Sequence, residues 1–136
     1  MKYLLDTNIC IYIARKRPPE VFKRVAKLDP GMLGISAITL FELSYGAINS
    51  SSPEKNLSLL EQFTLPFEIV PLTTEMAREC ADVRYELKLS PIGPMDTLIA
   101  GQARYLGTTL VTNNLREFAK VKGLRLENWV LERLKG

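Results

Sequence analysis

The opening of this chain, MKYLLDTNICIY, constrains its fold more than any other stretch. An apolar run, Tyr3-Leu4-Leu5, stops at Asp6-Thr7-Asn8, and an apolar helical pattern of Ile9, Ile11, Tyr12 and Ile13 follows at once. This reads as a buried strand that ends on a carboxylate and turns directly into a helix. In open parallel sheets ligands lie outside the carboxyl ends of the strands, at such turns. Asp6 is therefore either a helix cap or a piece of chemistry.

The same alternation runs on through the chain. Arg15-Lys16-Arg17-Pro18-Pro19 closes one helix and opens another, since proline is disfavoured inside helices and suits their first turn. Apolar residues then recur at helical spacing up to the Asp29-Pro30-Gly31 turn. Residues 32–35 are expected to form a second strand, and Ser36 to cap a helix whose Ile38, Leu40, Phe41, Leu43, Tyr45 and Ile48 are apolar on most sides, which predicts burial. A polar loop leads to a further helix with Ser52 as its cap and Pro53 in its first turn. A third strand is expected over 67–72, then a long helix over 74–89 that packs through Ala77, Cys80, Ala81, Val83, Tyr85 and Leu87. Pro94 opens the next helix, with Asp96 in its first turn and Leu98, Ile99, Ala103 and Leu106 facing the core. A fourth strand over 108–112, a helical turn at 115–118, a weak strand over 124–126 and a charged amphipathic tail over 129–134 complete the reading. Strands alternating with helices over 136 residues predict one α/β domain with a mostly parallel sheet.

Histidine is absent. That excludes Ser-His-Asp and Cys-His catalysis, imidazole-paired hydrolysis and mixed His/Cys zinc sites. Cys10 and Cys80 form no CxxC motif and lie in separate apolar helical patterns, so both read as buried reduced thiols of a cytosolic protein. No apolar run reaches membrane-spanning length, and Asp6 and Asn8 interrupt any signal-like opening. The net charge of +3 is compatible with a nucleic-acid partner without demanding one.

Four polar points fall at comparable places: Asp6 after the first strand, Glu42 inside an apolar helix, Asp96 at a helix start and Asn114 after the fourth strand. In a parallel sheet these can converge on one edge. Asp6 and Asp96 each have an ordinary use, as a cap or as a partner of a helix dipole. Glu42 does not, because burying a lone carboxylate costs several kcal/mol. Acidic residues gathered without His or Cys favour a hard cation, Mg²⁺ or Mn²⁺, which polarises a phosphodiester and acidifies a bound water.

With the residues in view, LLDTNICIY, SAITLFELSYGA around Glu42, IGPMDTLIAGQA around Asp96 and LVTNNLREF resemble, in order, the four motifs of PIN-domain ribonucleases of the VapC toxin type. The resemblance implies a three-layer α/β/α fold with about five strands, and a cytoplasmic Mg²⁺-dependent endoribonuclease that cuts RNA such as tRNA, leaving a 5′-phosphate. It implies metal binding by Asp6 and Asp96, an acidic contribution from Glu42, and a polar edge at Thr112. Asn114 stands where many PIN domains have a fourth aspartate, and Glu117 one turn on is placed to restore part of that charge. Arg15, Lys16, Arg17, Arg116, Lys120, Lys122 and Arg125 are candidates for guiding RNA, Arg116 foremost. A homodimer is also implied, together with a cognate VapB-type antitoxin whose groove could draw on Leu57, Leu60 and Phe63; these three suit the core equally. Two rivals stand beside this reading. A haloacid-dehalogenase-type phosphatase would need an aspartate where Asn8 lies, and a catalytically degenerate PIN-like module would bind RNA or a partner without cutting.

Overall fold

Leu4 points to one face of its strand and Tyr3 and Leu5 to the other, and all three are buried, so both faces of the sheet are covered. The structure is a computed structural model that describes residues 1–131. Its strands are β1 (Tyr3–Leu5), β2 (Leu33–Ser36), β3 (Glu68–Val70), β4 (Thr109–Val111) and β5 (Arg125–Glu127). Every pairing is parallel, in the order β3-β2-β1-β4-β5, with Leu4 opposite Gly34 on one side and Leu110 on the other. The helices are α1 (Thr7–Arg15), α2 (Pro19–Ala26), α3 (Ala37–Ile48), α4 (Pro53–Thr64), α5 (Thr74–Glu86), α6 (Pro94–Leu106) and α7 (Leu115–Phe118), with a 3₁₀ turn at Pro30–Met32.

Two cores follow from the period-two alternation of the strands. Leu4 and Leu110 pack with Val83, Ile99, Ala103 and Phe118 on the face covered by α5, α6 and α7. Tyr3, Leu5, Leu33 and Ile35 pack with Ile9, Ile13 and Val21 on the face covered by α1 and α2. Trp129 closes this second core, meeting Tyr3 edge to face at 5.1 Å. The expected three-layer α/β/α architecture is the one observed. Residues 132–134 of the expected amphipathic tail lie outside the described residues.

Several local expectations are corrected. The helix over residues 37–48 buries little: Thr39 and Ala47 are enclosed, while Phe41, Tyr45 and Ile48 are each about 60% exposed. Apolar character all round is therefore not burial all round here. On α5 the packing side is Met76, Cys80 and Val83; Ala77, Ala81 and Tyr85 face outward. The cause is a close approach to α6: a Cβ on Gly101 would lie 2.7 Å from the Cys80 Cα, so the backbones meet there and fix which stripe points inward. That helix also stops at Glu86 rather than 89. Leu106 is exposed, and Ser52 makes no side-chain cap. Cys10 and Cys80 are buried and unbonded to each other, as expected of free thiols.

Candidate active site at the carboxyl edge of the sheet

Strand order locates the site before any side chain is considered. The chain passes from β1 to β2 on one side and later returns to β4 on the other, so the carboxyl ends of β1 and β4 flank the point where the connections diverge. Asp6 follows β1 and Thr112 follows β4, and their side chains meet there. The Thr112 hydroxyl donates to Asp6 Oδ2 at 2.8 Å and accepts from the Asn114 N–H at 2.9 Å. Asp6 Oδ1 accepts from the Thr7 N–H at 2.8 Å, at the start of α1. Asp6 is thus both the helix cap and a nearly enclosed carboxylate, 5% exposed.

Thr7 carries the link onward. Its Oγ1 lies 2.7 Å from Glu42 Oε1 and 3.1 Å from Thr39 Oγ1. A carboxylate only accepts, so Thr7 gives its proton to Glu42 and receives one from Thr39. Glu42 on α3, which Ser36 caps through the Ile38 N–H, is held beside Asp6 in this way. The sequence reading passes over Thr7 and Thr39. The available signal was a hydroxyl next to Asp6 and another one helical turn before Glu42.

Asp96 occupies the first turn of α6 behind Pro94, as the sequence predicts. Burial raises its carboxyl to about 6, and the charges of Asp6, Glu42 and Glu117 add to the shift. Asp6 is also raised, mainly by burial and further by Glu42, against hydrogen bonds from Thr112 and Thr7 that pull it down. Acidic side chains from four separate segments therefore share one field. Asn114 contributes its backbone N–H to Thr112 and does not cap α7 with its side chain. Glu117 supplies negative charge on that side.

Among the described residues no three acidic or thiol groups close into a ready-made metal cage. The donors that converge are carboxylate and hydroxyl oxygens, with the Cys10 thiol kept protonated by burial. This set fits a hard divalent ion such as Mg²⁺, which needs one or two carboxylates and keeps several waters.

The basic candidates divide. Arg116 is exposed next to Glu117, and Arg15 lines a groove that also contains Thr7 and Glu42. Arg125 starts β5 and lines a hollow with Lys2 and Thr109, at the amino edge of the sheet and away from the acids. Lys122 lies near Glu86 and Arg104, at the far end of α6, and Lys120 pairs with Glu117 at 3.3 Å. The groove beside Glu42, about 380 Å³, runs between α1, α3 and α4 over Ile11, Leu43, Leu60 and Phe63; Leu57 is not among its lining residues.

A parallel five-stranded sheet with acids at its switch point defines the class, and the family description "PIN domain" matches residues 3–124, so the chain belongs to the PIN-domain family. Within it the chain is of the VapC type. It is 43% identical over 131 residues, 95% of this chain and 98% of the other, to the tRNA(fMet)-specific endonuclease VapC of Shigella flexneri. Two solved structures are similar along nearly the whole length. DNA-bound VapBC from Salmonella typhimurium gives a TM-score of 0.89 at 42% identity, covering 96% of this chain and 99% of that one. VapBC2 from Rickettsia felis, bound to a promoter DNA fragment, gives 0.87 at 37% identity, covering 96% and 100%.

Proposed function

We propose that this chain is a Mg²⁺-dependent endoribonuclease toxin that cuts RNA, structured RNA such as tRNA included, and is silenced by a cognate antitoxin. The observation that carries the reading is the gathering of Asp6, Glu42 and Asp96, none of them paired with a lysine or arginine among the described residues, where burial first and then the charges of Asp6, Glu42 and Glu117 push the Asp96 carboxyl to about 6. Asp6 and Asp96 would hold the ion. Bound there, Mg²⁺ would polarise the scissile phosphodiester and acidify a water. The protein's own part is orientation. Thr112 and the Thr7 N–H fix both oxygens of Asp6, and the Thr7 hydroxyl holds Glu42 toward the attacking water. Arg116 and Arg15 offset the repulsion between this acidic centre and a polyanion.

The relatives support the remaining terms. The Shigella protein is named a tRNA endonuclease, and the Salmonella and Rickettsia structures are VapBC toxin–antitoxin complexes. The apolar groove that reaches Glu42 suits a segment of such an antitoxin, and the exposed Phe41, Tyr45 and Ile48 stripe suits a homodimer. No helix among the described residues is long and apolar enough to cross a membrane, and the cytoplasm is the proposed compartment. The deciding experiment sequences RNA ends after a short pulse of expression of wild type and Asp6→Asn. New ends that appear with wild type alone support the reading. Identical end profiles reject it and favour a module that binds without cutting.

A further inference from the structure

Gln102 is a fully buried amide in the middle of α6. Its Oε1 accepts from the Ser36 hydroxyl, and its Nε2 donates to the carbonyls of Val70 and Pro71 at 3.4 and 3.2 Å. Ser36 is the last residue of β2 and the cap of α3, its Oγ accepting from the Ile38 N–H at 3.0 Å. Val70 is the last residue of β3. One side chain therefore ties the helix that carries Asp96 to the carboxyl ends of two strands and to the first turn of the helix that carries Glu42. The adjacent residue leaves no slack on the other side, since Gly101 has no room for a Cβ against the Cys80 backbone.

We propose that Gln102 is a positioning residue for the acidic centre. With Ser36 it sets the rotation and axial register of α6 against α3, and so the separation of Asp96 from Glu42 where the ion is taken up. The inference rests on the divalent-ion reading above. A helix turns 100° and rises 1.5 Å per residue, so a small slip of α6 swings Asp96 out of the shared field. An apolar side chain could fill the same volume but would accept any register that packs. A satisfied buried amide has directional partners and selects one. It also adds no charge to a sheet edge already crowded with carboxylates.

The test is calorimetric titration of MnCl₂ into the purified full chain at neutral pH, for wild type, Gln102→Met, Ser36→Gly and the double variant. A Val21→Ala control truncates a buried residue on α2, in the core on the opposite face of the sheet from α6. Gln102→Met is expected to weaken Mn²⁺ binding about tenfold or more, the usual effect of losing an outer hydrogen bond that orients a ligand. Ser36→Gly, which still permits a helix start, is expected to do the same, and the double variant no worse than the weaker single. Val21→Ala should lower the melting temperature and leave Mn²⁺ affinity unchanged. With RNA, the two tether variants should lose kcat while KM holds. A folded Gln102→Met chain that binds Mn²⁺ as wild type does overturns the proposal, and if that variant does not fold, the same result for Ser36→Gly overturns it. A wild type that takes up no Mn²⁺ overturns the ion reading and this inference with it. A wild type that binds, matched by both variants, overturns the inference alone.

Discussion

An acidic cluster lies near each end of helix α6, and the two behave in opposite ways. Near its carboxyl end Arg104 reaches Glu79 at 3.0 Å and forks onto both oxygens of Glu86 at 2.9 and 2.8 Å. The guanidinium holds the Glu86 carboxyl below its ordinary value. At the amino end burial raises the Asp96 carboxyl to about 6, and the charges of Asp6, Glu42 and Glu117 add to the shift. Among the described residues no lysine or arginine pairs with Asp6, Glu42 or Asp96. An acidic cluster with its own cation is scaffold: its charges are matched within the chain and nothing is left to bind. The other leaves Asp6, Glu42 and Asp96 without a basic partner, Lys120 reaching only Glu117, and this is the property that the proposed ion-binding role requires.

Substitutions should separate the two clusters. Asp96→Asn is expected to lower RNA cleavage on the order of a thousandfold while the chain stays folded. Without metal the variant should melt higher than wild type, because a repelled carboxylate is gone; wild-type cleavage by this variant would remove Asp96 from the centre. Arg104→Met should do the reverse. It removes the partner of Glu79 and Glu86, which water then solvates, and should cost about 1 kcal/mol in urea unfolding, with the cleavage rate per folded molecule unchanged. A loss of rate that exceeds the loss of folded protein would show that the scaffold cluster takes part in the chemistry.

A smaller effect concerns pH. The Asp96 carboxyl titrates at about 6 in the folded chain against 3.8 for an ordinary aspartate, so the folded state binds that proton more tightly. The penalty of its charge is full above the folded value and lifts as pH falls through it. From this group the metal-free chain should therefore gain stability as pH drops from about 7 to about 5. Glu86, lowered from 4.5, contributes stability that is lost only on further acidification. Chemical denaturation across this range checks both signs. The gain should shrink in Asp96→Asn to the share of Asp6, whose carboxyl is also raised by burial, and should vanish in saturating Mg²⁺, whose binding should weaken below about pH 6 as protons compete. A wild-type profile flat across the window would mean that the acids do not share a field.

The features legible in the sequence are those set by neighbours along the chain. Tyr3-Leu4-Leu5 before Asp6, Ser36 before an apolar helix and Pro94 before Asp96 each state a local rule, and each element lies where that rule puts it. Convergence of Asp6, Glu42 and Asp96 followed from parallel strands sharing a carboxyl edge. The same rule, applied to Arg125 at the start of its strand, would have put it at the opposite edge from the acids. What was not legible depends on partners distant in sequence. Tyr85 and Val83 are both admissible on a helical stripe, and the contact of Gly101 with Cys80 decides between them. Phe41, Tyr45 and Ile48 look like core because hydrophobicity records what a side chain avoids, not what is available to cover it. Gln102 carried a signal that went unused: a lone amide among Ile99, Ala100, Gly101 and Ala103, all buried.

The central claim is that Asp6 and Asp96 hold a divalent ion between them. Its most direct test is an anomalous difference map from crystals of this chain soaked in Mn²⁺. The account predicts a peak bounded by the Asp6 and Asp96 carboxylates, with Glu42 facing it, and no peak in the Asp96→Asn variant. A map empty at that point, or a peak beside Glu79 and Glu86 instead, would contradict it.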